Sequence, residues 1–202
     1  MASKHVAIMG GAFDPIHFGH LLAAEEAARA MALDEVLFVP NYEPPIAKHD
    51  VARAADRVAM VRLAIAGNAR FRLSTIETDR EGPSYSYDTV RSLRASDPEI
   101  GKLWFIMGAD ALQTLPRWYR FEDLARECEF IVTTRPGFDR DGLIRALPDA
   151  LAIRVHPLEI PSLEISSTLV RERVASGRGA RYLTPDAVVG YIETMGLYRF
   201  SL

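Results

Sequence analysis

Short uninterrupted apolar runs alternate along this 202-residue chain with stretches of helical composition, and that alternation limits the possible folds more than any other feature. His5 to Met9, Glu35 to Pro40, Leu103 to Met107 and Phe130 to Thr133 read as strands buried on both faces. Phe71 to Ser74 and Leu151 to Val155 read as two more strands, and 157–165, with two prolines, as an extended segment. Helical stretches lie between them, at about 21–31, 51–66, 86–95, 110–115, 121–127, 141–146 and 166–175, with a last helix opened by Thr184-Pro185-Asp186. There Thr reads as the N-cap and Pro as the first helical residue. Apolar strands joined through helices require a parallel sheet covered on both faces, and right-handed crossovers make it doubly wound. The expectation is a single α/β domain over residues 1–202, with a small C-terminal helical part from about 166 to 202. Ligands bind such a sheet at the carboxyl ends of its strands, near the point where strand order reverses. Strands one and four are expected to flank that point.

The loop after the first strand carries the chemistry. Gly10-Gly11-Ala12-Phe13-Asp14-Pro15-Ile16-His17-Phe18-Gly19-His20 leads from an apolar strand into an Ala-, Leu- and Glu-rich helix. Unpaired N–H groups and the helix dipole favour an anion there, and phosphate is the natural guest. Gly10 and Gly11 let the backbone approach closely, and Pro15 stiffens the turn. The stretch has neither the Gly-x-Gly-x-x-Gly dinucleotide fingerprint nor the Gly-Lys-Ser/Thr of a P-loop. It has His-x-Gly-His instead. His17 and His20, three apart, share a face of the first helical turn. Two imidazoles beside a phosphate-sized nest can donate N–H bonds and stabilise charge on a leaving group. A zinc site is the weaker alternative, because zinc wants three or four ligands and the one cysteine, Cys128, is isolated.

A second stretch offers similar chemistry. Ile165-Ser166-Ser167-Thr168-Leu169-Val170-Arg171 puts three hydroxyls at a helix start and a guanidinium about one turn on. Hydroxyls and free N–H groups can hold phosphate oxygens, and Arg171 can add a charge-assisted bond. The plain alternative is a capping Ser166 or Ser167 with a solvated arginine.

The net charge of −3 supplies no basic field for nucleic acid. One cysteine excludes an internal disulfide and fits a reducing compartment. No apolar run approaches the ~20 residues that span a bilayer, and the run after Lys4 is too short for a signal peptide. These observations point to a cytoplasmic protein with no membrane and no nucleic-acid partner.

The glycine stretch resembles Gly-x-Phe-x-Pro-x-His-x-Gly-His of the nucleotidyltransferase superfamily, matching at Gly11, Phe13, Pro15, His17, Gly19 and His20. The later stretch resembles that superfamily's Ile-Ser-Ser/Thr-Thr-x-x-Arg, matching at Ile165, Ser166, Ser167, Thr168 and Arg171. The resemblance implies a Rossmann-like sheet. It also implies transfer of a nucleotidyl group from a nucleoside triphosphate to an acceptor phosphate.

Three further stretches are similar to one branch, the bacterial nicotinate-nucleotide adenylyltransferases. They are Pro83-Ser84-Tyr85-Ser86-Tyr87-Asp88-Thr89, the run from Gly108 to Trp118, and a tail with Tyr182-Leu183-Thr184-Pro185 and Leu197-Tyr198. Ala12 stands where the branch often has Thr or Ser, and Ser86 where it usually has Thr. Pro44-Pro45-Ile46-Ala47-Lys48-His49 replaces its Pro-His-Lys.

The resemblance implies adenylyl transfer from ATP to nicotinate mononucleotide, in NAD biosynthesis, with Mg²⁺ carried by the ATP. The ATP site it implies is Gly10, Gly11, Ala12, Phe13, His17, His20, Gly108, Asp110, Ile165, Ser166, Ser167, Thr168 and Arg171. His17, His20 and Arg171 would bear on the phosphates, with Lys48 rather than His49 as a further cation. The acceptor would meet Trp118 as an aromatic platform, Ser86 and the Tyr119 amide at its carboxylate, and Asp110 at a ribose hydroxyl. The rivals are another adenylyl- or cytidylyltransferase with a different phosphate acceptor, an enzyme using nicotinamide mononucleotide, and a catalytically silent nucleotide-binding regulator.

Overall fold

The computed structural model describes residues 3–43, 52–112 and 114–199. Their strands are β1 (Lys4–Gly11), β2 (Glu35–Pro40), β3 (Phe71–Leu73), β4 (Ile100–Gly108), β5 (Glu129–Thr134) and β6 (Val155–Glu159). They form one sheet in the order β3-β2-β1-β4-β5-β6, and every neighbouring pair is parallel. The helices are α1 (Phe18–Ala30), α2 (Ala54–Ile65), α3 (Ser86–Ser96), α4 (Ala109–Leu112), α5 (Phe121–Glu127), α6 (Arg140–Arg145), α7 (Asp149–Ala152), α8 (Ser167–Ala175) and α9 (Asp186–Met195), with a 3₁₀ turn at Leu115–Arg117.

The chain runs outward from β1 to β3, then returns to lay β4 on the free side of β1, with Ile8 opposite Phe105. The doubly wound, Rossmann-like architecture expected from the apolar runs is therefore present, with β1 and β4 flanking the switch point. The central strand is buried from Val6 to Met9. Ala7 and Met9 enter a core shared with α1, α2 and α9; Val6 and Ile8 enter one shared with α3 and α5. Each large apolar side chain buried this way contributes about 1.5–3 kcal/mol. Alanines 23, 24, 27 and 28 form the buried face of α1. Their small size lets the helix lie close to the sheet, so its N-terminus follows directly on the loop leaving β1.

Three expectations differ in detail. The sixth strand is not Leu151–Val155. Residues Asp149–Ala152 form the helical turn α7, closed by the Pro148 carbonyl accepting from the Leu151 and Ala152 amides, and β6 begins at Val155. β6 contains Pro157, which the edge of the sheet allows. The Pro157 carbonyl accepts from Arg140 Nη2 at 2.8 Å, so the nitrogen that lacks a proton lies on the same, unpaired side. Helix α1 starts at Phe18 rather than near 21, which brings both histidines into its first turn. Thr184 does not cap α9: Pro185 is the N-cap, and the Thr184 hydroxyl has a tertiary partner described below.

Candidate active site

The loop from β1 to α1 is held open on one side and filled on the other. Phe13 has a left-handed backbone, φ 50°, a strained state for a residue with a Cβ. Its buried ring packs 5.9 Å from Phe38 and meets His20 edge-on at 5.1 Å, which holds the conformation in place. The backbone N–H groups of Ala12 and Phe13 have no hydrogen-bond partner among the described residues. Gly10 permits close packing, since a Cβ there would stand 3.2 Å from the Phe105 ring.

His17 is the N-cap of α1, with extended backbone, and His20 is its third residue. Their rings lie 3.8 Å apart at 31°. The His17 backbone N–H donates to His20 Nδ1 at 3.3 Å. Nδ1 is thus an acceptor, and the ring proton of neutral His20 sits on Nε2, where it can be donated outward. Burial pushes the His17 pKa down to about 4. Burial, and then the neighbouring His17, hold His20 well below 6.5. Both are neutral donors at physiological pH. His17 Nδ1 is buried and has no partner among the described residues. Gly19 has a definite reason to be glycine, because a Cβ there would stand 3.0 Å from His17 Cε1 and Nδ1.

The second phosphate-type stretch is bound to the first through its carbonyls. Arg171 Nη1 donates to the Asp14 carbonyl at 2.7 Å, the Ser167 hydroxyl to the Pro15 carbonyl at 2.9 Å, and the Thr184 hydroxyl to the Ile16 carbonyl at 2.7 Å. Three successive acceptors of the loop are thereby taken up by the C-terminal part of the chain. The consequence is that α1 and α8 begin side by side. Gly19, Ser167 and Thr168 carry first-turn N–H groups with no partner among the described residues, and these join the amides of Ala12 and Phe13. Ser166 caps α8, accepting from the Leu169 N–H at 3.1 Å. Thr168 Oγ1 accepts from Arg171 Nη2 at 3.4 Å. Of the hydroxyls expected to meet phosphate, those of Ser166 and Ser167 have structural partners in this state, and the backbone amides are what they leave free.

A cleft of about 410 Å³ opens beside this junction, lined by Gly19 and Leu22 of α1, by Gly108 and Asp110 after β4, and by Thr134 and Leu163. Gly108 faces open space, with nothing within 4 Å of an added Cβ.

Beyond it lies the group expected for the acceptor. Ser86 opens α3, whose N-cap, Tyr85, makes no side-chain capping bond. The Tyr85 ring lies 4.6 Å from that of Tyr119, 34° from parallel. Trp118 is half-buried, edge-on to Phe105 at 5.7 Å, and its indole N–H donates to Thr114 at 3.2 Å. The Tyr119 backbone N–H has no partner among the described residues.

Comparison with known proteins decides what such a site belongs to. The cytidylyltransferase-like family model matches residues 8–173, a span from β1 through the Arg171 stretch. A probable nicotinate-nucleotide adenylyltransferase of Roseiflexus is 48% identical over 203 residues, covering 98% of this chain and 100% of that protein. One of Moorella thermoacetica is 47% identical over 199 residues, covering 96% and 91%. The chain belongs to the nicotinate-nucleotide adenylyltransferase family. It is a nucleotidyltransferase. Among solved structures, the Plasmodium falciparum nicotinic acid mononucleotide adenylyltransferase complexed with NaAD superposes with a TM-score of 0.80 over 98% of both chains, at 20% identity, a likeness of fold.

Within this family member, the structure brings His17, His20, Gly10 to Phe13, Ile165 to Thr168 and Arg171 to one junction. Gly108 and Asp110 line the adjoining cleft, and Ser86, Trp118 and Tyr119 stand with the tyrosines around α3. Lys48 and His49 lie outside the described residues.

Sequence reasoning missed a supporting set. Arg57 is 1% exposed, and all five of its N–H groups are used. They reach the Ala12 carbonyl, the Asn41 side chain and the carbonyls of Asn41, Tyr42 and Ala52. Asp14, also buried, accepts from the Tyr198 hydroxyl at 2.7 Å and the Ala52 N–H at 3.2 Å. A signal for Arg57 existed: it stands three and four residues before the buried Met60 and Val61, on the same helix face.

Proposed function

We propose that the chain carries out the reaction its relatives are named for, adenylyl transfer from ATP to the 5′-phosphate of nicotinate mononucleotide. A phosphate oxygen forms a bond to the α-phosphorus of ATP as the bond from that phosphorus to the β-bridging oxygen breaks. Pyrophosphate leaves with the bonding pair. The nucleophile is already an anion at neutral pH, its second pKa being about 6, so no general base and no covalent intermediate is needed. The protein's task is alignment and charge stabilisation.

The unpaired amides of Ala12, Phe13, Gly19, Ser167 and Thr168, drawn together by the bonds from Ser167 and Arg171 to the loop, are the observation that carries this reading. They supply a phosphate-binding surface shared by two helix N-termini. His20 Nε2–H and His17 add neutral donors, and Arg171 adds the positive charge. In this reading the adenosine lies in the 410 Å³ cleft, with Asp110 at a ribose hydroxyl. The pyridine ring packs on Trp118, and its carboxylate meets Ser86 and the Tyr119 amide. Lys48 would add a second cation to the phosphates. No group of three or more His, Cys, Asp or Glu converges among the described residues; Mg²⁺ would enter on the oxygens of ATP, as part of that substrate. No helix of the described residues is long and apolar enough to cross a membrane, and the reaction is assigned to the cytoplasm.

The test is pyrophosphate release from ATP and Mg²⁺, with nicotinate mononucleotide beside nicotinamide mononucleotide at matched concentrations. Preference for the acid is expected. Equal use of both would remove the carboxylate assignment while keeping the chemistry. No turnover with either would overturn the acceptor.

A further inference from the structure

Glu77 lies between β3 and α3, is 7% exposed, and has no part in the reaction described above. The Thr89 hydroxyl donates to its Oε1, and Ser84 lies close enough to favour its charged form. These two residues bracket the start of α3. With Tyr85 as N-cap and Ser86 as the first helical residue, Ser84 precedes the cap and Thr89 is the fourth residue of the helix. An apolar contact between those two positions commonly fixes the angle at which a chain enters a helix. Here the fourth residue is tied instead to a buried carboxylate, by the Thr89 hydrogen bond.

Both Ser84 and Thr89 have further partners. Ser84 Oγ accepts from the Tyr42 N–H at 3.0 Å, and the Ser84 N–H donates to the Glu43 carbonyl at 3.1 Å. Thr89 Oγ1 also accepts from Arg80 Nη2 at 3.3 Å. Burial raises the Glu77 pKa, and Thr89, Ser84 and Arg80 act against that rise. The first turn of α3 is thus fixed, while the N–H groups of Ser86, Tyr87 and Asp88 and the Ser86 hydroxyl have no partner among the described residues.

We propose that Glu77 is a positioning residue that sets the acid-over-amide specificity of the acceptor site, by holding the first turn of α3 through Thr89. The proposal rests on the placement of the nicotinate carboxylate at Ser86 given above. A carboxylate presents two acceptors and a carboxamide one acceptor and one donor. Backbone donors held in fixed positions reject the carboxamide because one N–H is left facing another. Donors on a turn free to rotate adapt to either.

Glu77→Met and Thr89→Val keep about the same size and remove the link, and Thr89→Ser keeps the hydroxyl. Steady-state pyrophosphate release is measured with each mononucleotide and with varied ATP, beside thermal melting. Expected for Glu77→Met and Thr89→Val is a rise in KM for nicotinate mononucleotide. The ratio of kcat/KM between acid and amide should fall by about tenfold, the scale of one lost buried hydrogen bond. KM for ATP should be unchanged, and Thr89→Ser should behave as wild type. A lower melting temperature with an unchanged acid-to-amide ratio would overturn the proposal and leave Glu77 a structural role. If Glu77→Met does not fold, Thr89→Val carries the same test. Failure of the acceptor assignment itself is seen separately, as wild-type protein that turns over neither mononucleotide.

Discussion

Arg171 reaches back across 157 residues to donate from Nη1 to the carbonyl oxygen of Asp14 at 2.7 Å, and stands 3.7 Å from the Asp14 carboxylate. One N–H of its guanidinium fixes the glycine loop against α8, and in the proposed reaction the guanidinium would also carry charge to the phosphates. Lysine can supply the charge but not both contacts, since its donors radiate from one atom. Arg171→Lys is expected to fold normally and to lower kcat by about 10², with Arg171→Ala at about 10²–10³, the range for loss of one transition-state donor. Steady-state pyrophosphate release measures this. A loss below about tenfold in Arg171→Ala would remove its catalytic role.

The two histidines give the protein a definite pH response. Unfolded histidine takes up a proton below about pH 6.5. Folded His17 resists protonation until about 4, because of burial, and burial with the nearby His17 depresses His20 in the same direction. Between those limits the unfolded state binds more protons, so stability rises with pH across the window and is lost as pH falls from about 6.5 towards 4. The His17 share is on the order of 3 kcal/mol at full effect. Melting temperature is expected to fall through this range, and the double variant His17→Gln/His20→Gln to lose much of that slope. Activity should show no step near 6.5 that disappears in His20→Asn; such a step would contradict the neutral-donor assignment.

Much of this arrangement was legible before any coordinates. Residues 36–39, 103–107 and 130–133 are strands packed on both faces, so continuous apolar sequence is their signature. β6 was displaced by several residues because it is an edge strand, where His156, Pro157 and Glu159 are tolerated and no periodicity survives. The Thr184 cap failed for a different reason. Thr-Pro-Asp is a sound local signal, but the hydroxyl found a tertiary acceptor, Ile16 O, at 2.7 Å, which no local pattern encodes. For Arg57 the helix spacing signals burial, but its role is hidden for the same reason on a larger scale. Its acceptors come from residues 12, 41, 42 and 52, and an arginine on a helix reads as solvated until those partners are assembled around it.

The proposed acceptor site predicts that changes at Trp118 and Ser86 affect the two substrates differently. Trp118 is half-buried and edge-on to Phe105, and stacking of the pyridine on its ring would be worth about 1–3 kcal/mol by comparison with base–aromatic contacts. Trp118→Ala is expected to raise KM for nicotinate mononucleotide by about tenfold or more and to leave KM for ATP nearly unchanged. Ser86→Ala should weaken the acid substrate by about tenfold through one lost hydrogen bond, while Ser86→Thr retains it. Equal damage to both substrates in Trp118→Ala would mark it as a packing residue alone.

Gly19 offers the sharpest separation of stability from activity. It is the second residue of α1, and replacing a helical glycine by alanine commonly stabilises by up to about 1 kcal/mol. Here the new methyl would stand 3.0 Å from His17 Cε1 and Nδ1, tighter than ordinary contact, so the imidazole has to move. His17 is packed beneath His20, with ring centroids 3.8 Å apart, and a shift in one displaces the other. The methyl also lies beside the free Gly19 N–H, one of the amides assigned to phosphate. Gly19→Ala should therefore melt within a few degrees of wild type while kcat falls by about 10–10², the scale of a sub-ångström misplacement at a reacting group. Gly67→Ala, at a position with nothing within 4 Å of the added carbon, is the control that keeps full activity. If Gly19→Ala were as active as Gly67→Ala, the phosphates could not lie against the first turn of α1, and the assignment of His17 and His20 to them would fall with it.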